Sequence, residues 1–217
     1  MSENAKKPEQ KASGKVKRSW VYSLAKPIAA LLFKTFLPVK YHNAERLHAE
    51  PPYILIGNHT SMFDPVIMGV AVPKHQVRFI GKKELWKNKL VAAAFNNMNM
   101  IPVDRHNSDM EAMRACMRVT REGGILGIFP EGTRHHEGLM TEMESGIGLI
   151  ALRSRVPVIP VYIAGKVGFF RRLHVYVGEA IPTEDLRAQG VNKDTCDQLL
   201  QRITQVYAEM HAAHTKA

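Results

Sequence analysis

The sequence predicts an α/β fold: a central sheet, mostly parallel or mixed, flanked by helices. Three observations carry that prediction. Apolar runs of strand length recur from Tyr53 onward. The stretches between them carry helical spacing and helix-end residues. A long amphipathic pattern closes the chain, suited to covering one sheet face.

Residues 1–18 come first. Lys6, Lys7, Lys11, Lys15, Lys17 and Arg18 stand there against Glu3 and Glu9. A disordered basic tail is expected. Residues 19–48 form a second unit, whose core reads WVYSLAKPIAALLFKTFLP (20–38). As a helix it has an apolar body and lysines that snorkel outward. Two readings fit: an interfacial membrane helix, or a core helix packed on the domain. Pro27 permits a kink between two short helices. Lys26, Pro27 and Lys34 interrupt the run, so no spanning helix is expected, and no clear cleavage site makes it a signal peptide.

Residues 49–217 read as one α/β domain. YILIG (53–57) and VRFIG (77–81) are buried strands. A helix is expected over Ser108–Glu122, with Ser108 and Glu111 as a capping box and Gly123-Gly124 as its stop. ILGIF (125–129) is a strand, Gly146–Arg155 a helix, VIPVYI (158–163) a strand, and LHVYVG (173–178) a strand with one wetter face. Cys196, Leu199, Leu200, Ile203, Val206, Tyr207 and Met210 keep the spacing of the closing helix.

Composition narrows the function. With 217 residues, 45% hydrophobic and 23% charged, the chain is an ordinary globular domain. Two cysteines exclude a disulfide scaffold and a Cys-rich zinc module. The net charge of +10 points to an anionic partner. No glycine-rich nucleotide loop is present, and basic residues are not interleaved with aromatics as in nucleic-acid modules.

Four stretches carry candidate chemistry, three of them just after a predicted strand, where α/β sheets gather ligands. The first is Gly57-Asn58-His59-Thr60-Ser61-Met62-Phe63-Asp64-Pro65. His59 is a candidate general base. Asp64, placed at a helix N-cap by Pro65, is expected to accept the His59 Nδ1–H and leave Nε2 basic. A plain helix cap and a satisfied loop histidine are the structural alternatives. The second is Phe129-Pro130-Glu131-Gly132-Thr133-Arg134. Here Gly132 allows close backbone approach, Thr133 and Arg134 suit a phosphate, and Glu131 suits a hydroxyl. A surface turn with a Glu–Arg pair is the alternative. The third ends Ile101-Pro102-Val103-Asp104-Arg105, and the fourth is Gly81-Lys82-Lys83-Glu84-Leu85-Trp86. Arg105 and Lys82 suit a phosphate, or equally a neighbouring acid and solvent.

In this order the stretches resemble the PlsC-type glycerophospholipid acyltransferases. The family's Asn-His-x4-Asp block matches Asn58, His59 and Asp64. Its Lys-x-Glu-Leu segment matches Lys82, Glu84 and Leu85, and its Ile-Pro-Val-Asp-Arg block matches Ile101–Arg105. Phe-Pro-Glu-Gly-Thr-Arg is complete at 129–134, and Val-Pro-Val-Ile-Pro-Val at 156–161. The resemblance covers roughly residues 50–165. Departures fall at Asn99, His135 and Glu144, where the family often has Gly, Ser and a nearby Lys. They bear on acceptor recognition and leave the His59/Asp64 pair untouched.

The resemblance implies a glycerolipid acyltransferase domain behind a membrane-associating helical segment. It implies an enzyme that moves an acyl group from acyl-ACP or acyl-CoA to the sn-2 hydroxyl of lysophosphatidic acid. His59 would be the base and Asp64 its partner, with no covalent acyl-enzyme. Lys82, Arg105, Glu131, Gly132, Thr133 and Arg134 would bind the acceptor. No metal and no cofactor are expected. Expected partners are an anionic membrane surface, the thioester donor and a lysophospholipid, without nucleic acid. The expected location is peripheral or monotopic, on the cytoplasmic face of the cell membrane. Alternatives are another lysolipid or glycerol 3-phosphate as acceptor, or a non-catalytic basic membrane-binding protein. Cys116 and Cys196 read as small core residues rather than nucleophiles, and His135-His136 lacks a completing ligand cluster.

Overall fold

The computed structural model describes residues 18–104, 110–132 and 143–214. Seven strands form one sheet: β1 (Val39–His42), β2 (Tyr53–Gly57), β3 (Val77–Lys82), β4 (Ile101–Val103), β5 (Ile125–Ile128), β6 (Val158–Ala164) and β7 (Leu173–Val177). Their spatial order is β1-β7-β6-β2-β5-β3-β4. From β6 across to β4 every pairing is parallel. β7 runs antiparallel to β6, and β1 parallel to β7, so the sheet is mixed.

The helices are α1 (Trp20–Thr35), α2 (Asp64–Ala71), α3 (Lys89–Asn97), α4 (Met110–Arg121), α5 (Gly146–Ser154), α6 (Glu184–Ala188) and α7 (Lys193–His214). They cover both faces, which explains why the central strands are apolar throughout rather than alternating. All five residues of β2 and all four of β5 are buried. Successive side chains take opposite faces. Ile54, Ile56, Leu126 and Ile128 pack with Cys116, Val119, Ile147, Ile150, Leu199 and Ile203 of α4, α5 and α7. Tyr53, Leu55, Ile125 and Val161 pack with Phe33, Ile67 and Met68 of α1 and α2.

The apolar runs at 53–57, 77–81, 125–129, 158–163 and 173–178 coincide with β2, β3, β5, β6 and β7 to within one or two residues. The helix expected over Ser108–Glu122 is α4. Gly123 takes φ 77° behind it, the left-handed stop that a glycine permits. Ser108 lies outside the described residues. Two strands have no signal of their own. β1 is VKYH and β4 is IPV, too short for periodicity; β1 pairs with β7 far along the chain and β4 with β3, the strand before it. β1 also moves a border: residues 19–48 read as a unit apart from the sheet, yet Val39–His42 is a sheet strand within them.

α1 is one continuous helix through Pro27. Its inner side is tied to α2 and beyond: Tyr22 Oη donates to the Gly69 carbonyl at 3.0 Å, and Lys26 Nζ donates to the carbonyls of Val72 and Pro73. Its outer side leaves Trp20, Leu24, Ile28 and Leu31 54–73% exposed. Core packing and an outward apolar stripe therefore coexist on one helix. Among the described residues no helix is long and apolar enough to cross a membrane.

Candidate active site

Because β2, β5, β3 and β4 are parallel, the segments after them share one edge of the sheet. That edge collects His59, Asp64, Glu131, Gly132 and Lys82, which lie far apart in sequence.

The β2 carboxyl end is built by side chains from other elements. Pro160 stands opposite Ile56 in β6 and has no N–H to donate. Beside that gap the Tyr207 hydroxyl, from α7, donates to the Ile56 carbonyl and accepts the Val161 N–H at 3.1 Å. Burial pushes this phenol far above its ordinary range, so it stays protonated and remains a donor. One residue past the strand, the fully buried Asn58 side chain replaces a backbone pair. Its Nδ2 donates to the Ile163 carbonyl at 3.0 Å and its Oδ1 accepts the Ile163 N–H at 2.8 Å. Gly57 is needed for packing: a Cβ there would meet Met68 Sδ at 2.6 Å and Phe129 Cε1 at 3.2 Å.

His59 follows directly. Its ring lies against Phe129, centroids 4.4 Å apart at 25°. Its backbone N–H donates to Glu131 Oε2 at 3.0 Å. Its Nδ1 sits 2.8 Å from Asp64 Oδ2. Asp64 is fully buried, and other donors converge on it. Oδ2 accepts the N–H groups of Thr60 and Ser61 at 2.6 and 2.7 Å, and Oδ1 accepts the Ser61 hydroxyl at 2.7 Å. A carboxylate satisfies every one of these donors. It thereby orients the imidazole with Nδ1–H inward and Nε2 toward the edge, where the His59 side chain is 19% exposed.

Asp64 is the first residue of α2, with Phe63 at the N-cap, rather than the N-cap itself. Its carboxylate turns back onto the 59–61 loop instead of capping α2, because those three residues already present two amides and a hydroxyl at short range. Ser61 is engaged with Asp64 and the Phe63 N–H, not with His59.

Glu131, expected to meet a substrate hydroxyl, is buried with one oxygen on the His59 backbone. Gly132 has φ 63°, the left-handed geometry that suits its residue type. Lys82 is exposed at the end of β3, opposite Val103 of β4. Arg105, Thr133 and Arg134 lie outside the described residues, as do His135 and His136. Among the described residues no group of three His, Cys, Asp or Glu side chains is placed to hold a metal. Cys116 and Cys196 are buried in the helix layer away from this edge. Asn58, Phe129 and Tyr207 are parts of the site that sequence reasoning did not assign. Asn58 and Phe129 stand within the motifs but without a role of their own, whereas Tyr207 looks like any member of an apolar helical stripe.

Comparisons with known proteins bear on the family and the fold. A family model described as Acyltransferase matches residues 38–164. A 1-acyl-sn-glycerol-3-phosphate acyltransferase of Bacillus subtilis (strain 168) is 31% identical over 127 residues, 58% of this chain and 63% of that protein. One of Streptococcus pneumoniae is 27% identical over 168 residues, 75% of this chain and 62% of the relative. The match thus spans less than two thirds of these curated relatives. In fold, the chain is similar to the 1-acyl-sn-glycerophosphate acyltransferase PlsC from Thermotoga maritima, with TM-score 0.63 and 21% identity over 88% of this chain and 78% of that one. Since the family model spans more than half of the 217 residues, and its strands are those that carry His59 and Glu131, the chain belongs to the Acyltransferase family.

Proposed function

We propose that the protein transfers a fatty acyl group from an acyl thioester, acyl-ACP or acyl-CoA, to the sn-2 hydroxyl of lysophosphatidic acid, forming phosphatidic acid. The observation that carries this reading is the His59–Asp64 pair: a fully buried carboxylate 2.8 Å from Nδ1 of an imidazole that remains partly exposed at the sheet edge. The relatives in Bacillus subtilis and Streptococcus pneumoniae bear the name of this reaction.

The chemistry runs on one proton. His59 Nε2 takes the hydroxyl proton as the oxygen attacks the thioester carbonyl. The tetrahedral intermediate collapses, the C–S bond breaks, and the imidazolium protonates the departing thiolate. Asp64 stabilises the imidazolium in between. General-base assistance supplies about 10²–10⁴-fold, so positioning supplies much of the remainder. Lys82, with Arg105 and the Thr133–Arg134 pair, is the assigned clamp for the acceptor phosphate.

The acceptor is a lipid, and the exposed stripe of α1 supplies a route to it. Trp20, Leu24, Ile28 and Leu31 are amphipathic-helix anchors for a bilayer surface. Residues 1–50 hold ten Lys or Arg against four acids, which favours an anionic surface by roughly 1 kcal/mol for each cation near it. The test is thiol release from both donor types over a panel of acceptors, with His59→Ala as blank. Release that depends on lysophosphatidic acid and is lost in a folded His59→Ala protein is expected. Normal turnover by His59→Ala would falsify the mechanism.

A further inference from the structure

Outside the active-site machinery, the turn between β6 and β7 stands out. It runs from Gly165 to Arg172 and presents Phe169 and Phe170, each 75% exposed. Phe170 also takes φ 58°, a left-handed conformation that a bulky residue rarely adopts. The fold holds it there: the Phe170 N–H donates to the Phe36 carbonyl at 2.8 Å, and the two rings meet edge to face at 6.2 Å. Below them, Val167 and Leu37 pack against the core cluster that holds Phe33 and Leu173, so the turn is seated on the end of α1. A strained backbone that lifts two phenylalanines into water is a site of presentation rather than of packing.

Three further observations say what the turn meets. Lys166, Arg171 and Arg172 flank the phenylalanines and are exposed, and no acid occurs from Ala164 to Gly178. The turn leaves the carboxyl end of β6 two residues after Ile163, the partner of Asn58, so it stands on the edge that carries His59. On that same edge the His59–Asp64 loop exposes Met62 at 75% and Phe63 at 47%.

We infer that the Phe169–Phe170 turn is a second bilayer contact. Its rings enter the acyl region of an anionic membrane while Lys166, Arg171 and Arg172 take lipid phosphates. The inference rests on the reading that α1 lies on a bilayer and extends it: α1 alone tethers the protein, whereas α1 and the turn together set which edge faces the lipid. That edge is the one with His59, so a lysolipid hydroxyl reaches the base from the membrane side.

The test places an environment-sensitive fluorophore on Phe169→Cys and, in a separate protein, on Leu31→Cys, with the native cysteines buried. Phosphatidylglycerol vesicles should shift the label at 169 to the blue, phosphatidylcholine vesicles far less, and 0.5 M salt should reverse it. In the unlabelled Phe169→Ser/Phe170→Asn protein, where asparagine accepts the left-handed φ, vesicle partitioning should fall about tenfold for each ring lost. Turnover of a short-chain, micelle-dispersed acceptor should stay within about twofold. A shift at 31 without one at 169 would overturn the inference and leave the α1 tether standing. Loss of the shift at 31 would overturn the tether itself. A shift at 169 with an acidic acyl carrier protein but not with vesicles would make the turn a protein-docking site and also overturn it.

Discussion

Replacing Asp64 by Asn separates the charge of the orienting group from its shape. Asp64 Oδ2 takes three donors, His59 Nδ1 and the Thr60 and Ser61 amides, at 2.6–2.8 Å. An asparagine amide oxygen placed there keeps all three. Its NH2 then faces Ser61, whose hydroxyl rotates from donor to acceptor. The loop therefore survives. What disappears is the attraction between carboxylate and imidazolium. At 2.8 Å and an effective dielectric constant of about 20 that is ~6 kcal/mol for full charges. With the proton part transferred in the transition state, about 3–4 kcal/mol of it is felt, a rate loss of roughly 10²–10³-fold. Asp64→Ala is the wrong probe: it strands several buried donors at about 1–3 kcal/mol each, comparable with total stability. The assay is single-turnover thiol release on protein whose circular dichroism and melting temperature match the parent. A folded Asp64→Asn protein within about tenfold of parental kcat would refute the base-and-orienter assignment.

Other perturbations follow from the same contacts. Asn58→Ala removes both partners of the Ile163 backbone, about 2–4 kcal/mol, and should lower Tm by roughly 5–12 °C in a thermal melt. Tyr207→Phe leaves the Ile56 carbonyl and Val161 amide without their bridging hydroxyl, and should cost about 1–3 kcal/mol in denaturant titration with little change in acceptor KM. Gly57→Ala pushes on Met68 and Phe129, and kcat should fall more than Tm because Phe129 supports the His59 ring. Arg202 bonds Asp185 through both terminal guanidinium nitrogens, Nη1 and Nη2, and holds its carboxyl down to about 2. A depressed carboxyl contributes stability that is complete above its unfolded value near 4 and lost as pH falls through about 2. The acid limb of the stability curve between those values should flatten in Arg202→Gln.

How much of this was legible in the sequence depended on range. Ile54 to Ile56 and Leu126 to Ile128 read as strands because burial on both faces demands continuous apolarity, which is a local signal. His59 and Asp64 were legible as a pair because only four residues separate them and Pro65 starts a helix. Val39–His42 and Ile101–Val103 were not, since three or four residues carry no period, and the partner of Val39–His42 lies far along the chain. The role of Glu131 as a support for the His59 backbone needed the β2–β5 adjacency. Tyr207 was visible only as a core residue. Its hydroxyl finds Ile56 across 151 positions, and no spacing announces that.

That last contact also sets an order of events. The β2 end that launches Asn58 and His59 is bridged to β6 by a side chain of α7, 151 positions further along the chain than Ile56. A ribosome has made His59, Asp64 and Glu131 long before it makes Tyr207. Until α7 docks, the strands that aim the base lack their cross-tie. Chains broken during synthesis or clipped by a protease upstream of Tyr207 therefore carry His59, Asp64 and Glu131 and still lack this cross-tie. A complete His59 loop thus depends on α7 having been made and docked.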